Sequence, residues 1–365
     1  MKKVISVVGA RPNFMKVAPI YHASKNANFQ HLIVHTGQHY DYNLSDSFIS
    51  ALELPKPDYF LGVGSASHSQ QTAKIMIEFE KVCEDVQPDL VIVVGDVNST
   101  IACGLVAVKM GIKLAHVEAG LRSGDRTMPE EINRIATDAI SDYYFVTEED
   151  AIKNLKNSGA KDEQIYFVGN TMIDSLVRTL PKVDGSQILS KLALKPKEYV
   201  LVTLHRPSNV DSKESLLNFL EVFKEITKKT TVVFPIHPRT MQRIMDFGLI
   251  HHFEQIERLI IIEPANYIDF LQLMRNARMV LTDSGGIQEE TTFLDVPCLT
   301  LRTTTERPVT ITLGTNILIE PKKNLIINSF NYAFEHPIKR KEIPPLWDGQ
   351  AAYRIVNVIS NKILC

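Results

Sequence analysis

Three groups of carboxylates stand where an α/β enzyme would place its chemistry. VIVVGD runs apolar and stops at Asp96, KLAHVEAG runs apolar and stops at Glu118, and MPEEINR adds Glu130 and Glu131. Apolar runs of this kind read as buried parallel strands, and open α/β sheets bind ligands just beyond the carboxyl ends of such strands. Two strand-terminal acids with a third pair close by point to a site that moves protons. Each acid also has a structural reading. Asp96 could cap a helix starting near Ser99, Glu118 could pair with Arg122, and Glu130 and Glu131 could simply favour the positive end of a helix dipole.

A second constellation lies in MVLTDSGGIQEETTFLDVPCLTLRTTTERP. A buried strand ends at Thr282–Asp283, two glycines make a tight turn, and a helix opens at IQEE. Ser284 can cap that helix, while Gly285 and Gly286 let backbone N–H groups approach a phosphate closely. Glu290 sits further into the helix, where a carboxylate can accept from a ribose diol, and Arg307 after TTTE suits a pyrophosphate. The competing reading is a glycine turn, a capped helix and solvated glutamates.

Other motifs carry less. In GARPNFMK, Pro12 suits the first helical position, so Arg11 and Lys16 flank one helix start, as a diphosphate clamp or as exposed basic residues. TLHRPSN ends a strand at His205 and Arg206; such a histidine can protonate a leaving phosphate or be satisfied by a backbone carbonyl. FPIHPRT, with His237 and Arg239, is a parallel case where the structural reading is preferred. His35 and His39 in HTGQH stand four apart, but the strand and glycine there argue against a helical zinc pair. LGVGSAS is an incomplete glycine fingerprint with no helix after it, and no Walker A sequence, G-x-S-x-G elbow or H-E-x-x-H occurs.

The elements that position these residues alternate. KVISVVG, FQHLIVHTG, DLVIVVGD, KLAHVEAG, YYFVTE and QIYFVGN read as strands, separated by amphipathic helical patterns such as NFMKVAPIYHASK, QQTAKIMIEFEKVCEDV and PEEINRIATDAIS. This predicts a parallel, doubly wound sheet over residues 1–168. After a weakly patterned stretch near 182–198, EYVLVTLHR, TTVVFPIHP, RLIIIE, ARMVLTDSGG and CLTLR form a second cycle, giving a second domain over 169–350. The expectation is an α/β protein of two Rossmann-like doubly wound domains facing a cleft, followed by a terminal helix in AAYRIVNVISNKIL.

Composition fits that class. A chain of 365 residues exceeds one typical core, and domains of ~150–200 residues are the ordinary solution. With 44% apolar and 22% charged residues and a net charge of −2, there is no basic field for nucleic acid or an anionic membrane. An anionic ligand must therefore meet a local cluster of cations. Cys83, Cys103, Cys298 and Cys365 form no C-x-x-C pair, which fits a reducing cytosol better than a disulfide or zinc framework. The apolar run near the N-terminus lasts about five residues, shorter than the ~7–15 of a signal peptide or the ~20 of a membrane helix. The expected location is the cytoplasm.

In order along the chain, GARP, VGD, HVEAGLRSGD, MPEEINR, GNT, HRPSN, DSGGIQEE and TTERP resemble the non-hydrolysing UDP-N-acetylglucosamine 2-epimerase family, over residues 9 to 308 and between the motifs. The resemblance implies the GT-B architecture, with a C-terminal helix (about 351–365) packing back on the first domain. It implies UDP binding by Ser284, Gly285, Gly286, Glu290 and Arg307, with Phe270 near the uracil, and contributions from Arg11 and Lys16. It implies catalysis by Asp96, Glu118, Glu130 and His205, selecting Glu130 over Glu131. The implied reaction is anti elimination of UDP to a 2-acetamidoglucal, then syn re-addition after reprotonation at C2. No cofactor and no metal are implied, and a homodimer is. Two departures stand out: GQHYDYNLSDSF replaces the glutamine-rich helix of allosterically regulated members and keeps only Gln38, and HRPSN varies a segment on the sugar side. Relatives act on UDP-2,3-diacetamido-glucuronate or UDP-linked 6-deoxy-amino sugars, and a GT-B glycosyltransferase would share the nucleotide clamp.

Overall fold

The computed structural model describes residues 1–38, 52–336 and 338–365. His39 of HTGQH and most of GQHYDYNLSDSF lie outside the described residues. The chain divides into two units, residues 1–179 with 345–365 and residues 180–344. The division falls inside the helix Thr171–Val183 rather than at 168. That helix is missing from the elements predicted above, although Met172, Ile173 and Leu176 are buried along it.

Each unit is built on a wholly parallel sheet, as the alternating pattern predicts. The first holds β1 (Lys2–Val8), β2 (Phe29–His35), β3 (Tyr59–Phe60), β4 (Leu90–Val94), β5 (Lys113–Val117), β6 (Tyr143–Val146) and β7 (Ile165–Phe167), ordered β3-β2-β1-β4-β5-β6-β7. The second holds β8 (Tyr199–Thr203), β9 (Thr231–Pro235), β10 (Leu259–Ile262), β11 (Met279–Thr282), β12 (Cys298–Leu301) and β13 (Asn316–Ile319), ordered β10-β9-β8-β11-β12-β13. In each sheet the order reverses between two adjacent strands, β1 and β4 in one and β8 and β11 in the other. Helices leaving those two strands diverge to opposite faces, which opens a crevice at their carboxyl ends.

The strands form because their residues are apolar without interruption. All five residues of β4 are buried, as both faces of a helix-covered parallel sheet require. Val7, Val34, Val91, Val93, Phe79 and Leu114 belong to the core of the first unit; Val202, Phe219, Phe223, Phe234 and Leu281 belong to that of the second. Burial of each such side chain contributes ~1.5–3 kcal/mol against chain entropy. The helix His68–Val86 does follow LGVGSAS directly, with Ser67 accepting from the Gln70 N–H as its cap. Among the described residues no helix is long and apolar enough to cross a membrane.

The terminal segment belongs to the first unit. Trp347 is buried and donates from Nε1 to the Thr147 carbonyl, and Arg354 donates to the carbonyl of Val168. The carboxylate of Asp174 accepts from the N–H groups of Ala351 and Ala352, at the start of the helix Ala351–Val358. An acid there satisfies end groups of the helix and opposes its dipole. Gly169, at φ +87, lies so close to this segment that a Cβ would stand 2.1 Å from the Leu346 carbonyl oxygen. Gly169→Ala is therefore expected to destabilise the first unit by ~2 kcal/mol or more in urea unfolding; unchanged stability would contradict this docking of the terminal segment.

Candidate functional site

The first unit gathers its charges at the carboxyl ends of β4 and β5, beside the strand-order reversal. β4 and β5 run in register to Val94 and Val117, so Asp96 and Glu118 leave adjacent strands. Glu118 is buried and holds φ 69, a left-handed conformation that costs a non-glycine residue ~1–3 kcal/mol. Its N–H is anchored on the Phe145 carbonyl of β6. The carboxylate does not reach Arg122: Lys16, from the helix Arg11–Ala23, places Nζ 2.6 Å from Glu118 Oε2 in a buried pair. Arg122 instead pairs with Asp138 at 2.6 Å. Lys16 is thus not an exposed basic residue, whereas Arg11 is exposed.

Asp96 is not a helix cap either. The helix Asn98–Lys109 begins after Val97 with no side-chain cap, and Asp96 pairs with Arg134, whose other arm binds Glu131 at 2.6 Å. Asn133 donates to the backbone carbonyl of Asp96. The two glutamates of MPEEINR separate in role. Glu131 is buried and accepts from the N–H groups of Ser123 and Gly124 as well as from Arg134. Burial alone would raise its carboxyl, but those donors outweigh it and hold it below its ordinary range. Glu130 is exposed in the first turn of the helix Pro129–Ile140. The structure therefore pairs Glu118 with Lys16, holds Asp96 and Glu131 together on Arg134, and leaves Glu130 exposed. Arg134 was missed from sequence, although its spacing from Glu131 on a helix was a readable signal.

The second unit arranges its residues at the ends of β8, β11 and β12. β8 and β11 pair Thr203 with Thr282, so His205 and Asp283 emerge side by side. Asp283, fully buried, lies 2.8 Å from His205 Nδ1 and also accepts from the N–H groups of His205 and Arg206 and from Asn209. Burial pushes the Asp283 carboxyl up, yet the His205 ring and those N–H donors hold it low. With Nδ1 held by Asp283, the partly exposed His205 ring keeps Nε2 for another partner. Asp283 was treated as a strand end in the sequence; its role as anchor depends on β8, distant in the chain.

Ser284 stands at the N-cap of the helix Gly285–Leu294, but its side chain makes no cap bond. The expected cap is replaced by its own N–H donating to Thr282 Oγ1. The N–H groups of Gly285 and Gly286 belong to a first turn, with no acceptor inside the helix. A Cβ on Gly285 would meet Arg307 Nη1 at 2.8 Å, so glycine is what lets this guanidinium lie on the helix start. Arg307 is buried and pairs with Glu289 at 2.8 Å and with Glu306, whose other oxygen takes Arg302. Glu289 and Glu290 are both buried, which excludes the solvated reading. Glu290 accepts from the Tyr267 hydroxyl at 2.7 Å, and Phe270 follows one turn later on the helix Tyr267–Asn276, partly exposed. Burial drives the Glu290 carboxyl up to about 7, opposed by Tyr267 and assisted by neighbouring Glu289.

A helix start with a buried arginine and a carboxylate further along can hold a phosphorylated nucleoside; adjacent paired carboxylates can exchange a proton. Among the described residues no cluster of three or more His, Cys, Asp or Glu could hold a metal ion. Comparison with known proteins decides the family. The UDP-N-acetylglucosamine 2-epimerase family model matches residues 22–360. The chain belongs to this family. It is 42% identical over 363 residues to the UDP-N-acetylglucosamine 2-epimerase of Methanocaldococcus jannaschii, covering 98% of this chain and 99% of that protein. It is 39% identical to the UDP-2,3-diacetamido-2,3-dideoxy-D-glucuronate 2-epimerase of Pseudomonas aeruginosa, covering 98% and 99%. The solved structure of the M. jannaschii enzyme in complex with UDP-GlcNAc and UDP matches at a TM-score of 0.90, covering 98% of this chain and 99% of that one at 42% identity. Enzymes of this family are isomerases.

The state of Glu290 gives a stability test. Its carboxyl loses its proton near 4.5 when exposed and near 7 in the fold, so the folded chain holds the extra proton between those values. Stability should fall as pH rises through that window, by on the order of 3 kcal/mol. Glu290→Gln keeps an acceptor for Tyr267 and has no such proton. Denaturant unfolding of the second unit at about pH 5 and about pH 8 should show a smaller pH-dependent loss in the variant than in the wild type; equal losses would remove Glu290 as the source.

Proposed function

We propose that this isomerase inverts C2 of a UDP-linked N-acetylamino sugar, converting UDP-GlcNAc to UDP-ManNAc through anti elimination of UDP, a 2-acetamidoglucal and syn re-addition. The observation that supports it most is the pair of carboxylates, Asp96 and Glu118, at adjacent strand ends, each held against a cation from another helix. The C2 proton is not α to a carbonyl. It becomes acidic only as the C1–O bond breaks and positive charge develops at C1. Proton removal and departure of the diphosphate must therefore be coupled.

In this reading Asp96, Glu118 and Glu130 form the proton-handling group, one carboxylate taking the C2 proton and another returning one to the opposite face. The second unit binds UDP: Gly285 and Gly286 offer N–H groups, Ser284 and Arg307 meet the diphosphate, Glu290 takes the ribose diol, and Phe270 lies by the uracil. His205, oriented by Asp283, hydrogen-bonds or protonates the leaving diphosphate. Arg11 and Lys16 add positive charge on the substrate side. The Pseudomonas relative favours a second sugar, a UDP-diacetamido-glucuronate, for the same chemistry. A cytoplasmic homodimer supplying cell-surface polysaccharide synthesis completes the proposal.

Incubation with UDP-GlcNAc and no acceptor should give an equilibrium mixture of two UDP-sugars, read by proton NMR. An unchanged substrate rules out that sugar, and an unchanged panel of UDP-amino sugars rules out the epimerase. Asp96→Asn, Glu118→Gln and Glu130→Gln should each slow epimerisation by ~10²-fold or more with UDP binding kept. Near wild-type rates in all three would overturn the catalytic assignment.

A further inference from the structure

One fully buried titratable group in the first unit has no part in the chemistry above. His116, on β5 two residues before Glu118, is 0% exposed and hydrogen-bonded at both ring nitrogens. Nδ1 lies 2.7 Å from Asp138 Oδ1, and Nε2 lies 2.8 Å from the backbone carbonyl oxygen of Gly95. A carbonyl oxygen can only accept, so Nε2 must carry a proton. Asp138 decides the other nitrogen. Its second oxygen already takes the Gly120 N–H at 3.1 Å and the Arg122 guanidinium at 2.6 Å. Burial pushes the Asp138 carboxyl up, but His116 and Arg122 outweigh this and hold it below its ordinary range. The proton in the Asp138–His116 bond thus sits on the ring.

We propose that His116 is a resident imidazolium whose two N–H groups lock the Gly95–Asp96 turn to β5 and so position Asp96 for proton transfer. Gly95 donates its own N–H to the Val117 carbonyl at 3.0 Å and gives its carbonyl to the His116 ring, so both its polar groups are tied to β5. Asp96 is the next residue. Asp138 is shared between the Arg122 guanidinium on one oxygen and the His116 ring on the other, so each of its oxygens faces a donor. An imidazolium at 116 gives Asp138 a second positive partner beside Arg122. His116 is a positioning residue, acting on substrate only through Asp96.

This inference rests on the proposed function for its kinetic consequence, not for its charge state. The test is a nitrogen-15 NMR spectrum of protein labelled at its histidine rings, without substrate, at neutral pH. The His116 signal is identified by its loss in His116→Gln or, if that variant does not fold, by its change in Asp138→Asn. Both ring nitrogens of His116 should carry bonded protons in the wild type, and one should lose its proton in Asp138→Asn. That variant should lower kcat by ~10²-fold with KM for the UDP-sugar little changed. A wild-type ring with one bare nitrogen overturns the proposal, as does an Asp138→Asn enzyme with a neutral ring and full kcat. If no UDP-sugar is epimerised, the proposed function fails, while the ring spectrum still decides whether His116 is charged.

Discussion

A carboxylate taken out of water must meet a cation or hydrogen-bond donors, and that requirement organises the first unit. Glu118 is buried at the end of β5 and is paired with Lys16; removing one partner of such a pair typically costs ~3–5 kcal/mol. Asp96 and Glu131 share Arg134, and Asp138 is shared by Arg122 and His116. The helices Arg11–Ala23 and Pro129–Ile140 supply two of these cations, so packing those helices on the sheet is inseparable from assembling the charges. The left-handed backbone at Glu118 is strain held in place by the same packing and by the anchor on β6.

The second unit meets the same constraint with a different outcome. Asp283 is buried at a strand end too, but its partners are N–H groups and a partly exposed histidine ring. The carboxylate fixes the orientation of that ring through Nδ1. Glu290 has mainly a tyrosine hydroxyl for company, and its carboxyl is correspondingly pushed up to about 7. Ionised, it gains from further hydrogen-bond donors, and the ribose diol of the proposed function supplies a pair of them.

The fold was largely legible because uninterrupted apolar runs such as VIVV and the strand–helix alternation are local signals. The strand-end positions of Asp96, Glu118, His205 and the two glycines followed from them. What was not legible is pairing. Asp96 and Glu118 each have a plausible neighbour in sequence, a helix start and Arg122, yet both are paired with residues of other elements. Lys16 meets Glu118 only because β1 lies beside β4 in the sheet, a property of strand order rather than of spacing. The Thr171–Val183 helix, with Pro181 near its end, was missed although Met172, Ile173 and Leu176 are buried along it. Glu131 looked equivalent to Glu130 until the Ser123–Gly124 turn folded over it.

Under the proposed function, the buried charge of the first unit handles one proton, at a carbon that gives it up only while a diphosphate departs. The most direct measurement is turnover of a UDP-N-acetylamino sugar in heavy water. The account predicts deuterium at C2 of the product, and at C2 of the returned substrate as equilibrium is approached. Inversion at C2 with the original hydrogen retained would contradict it.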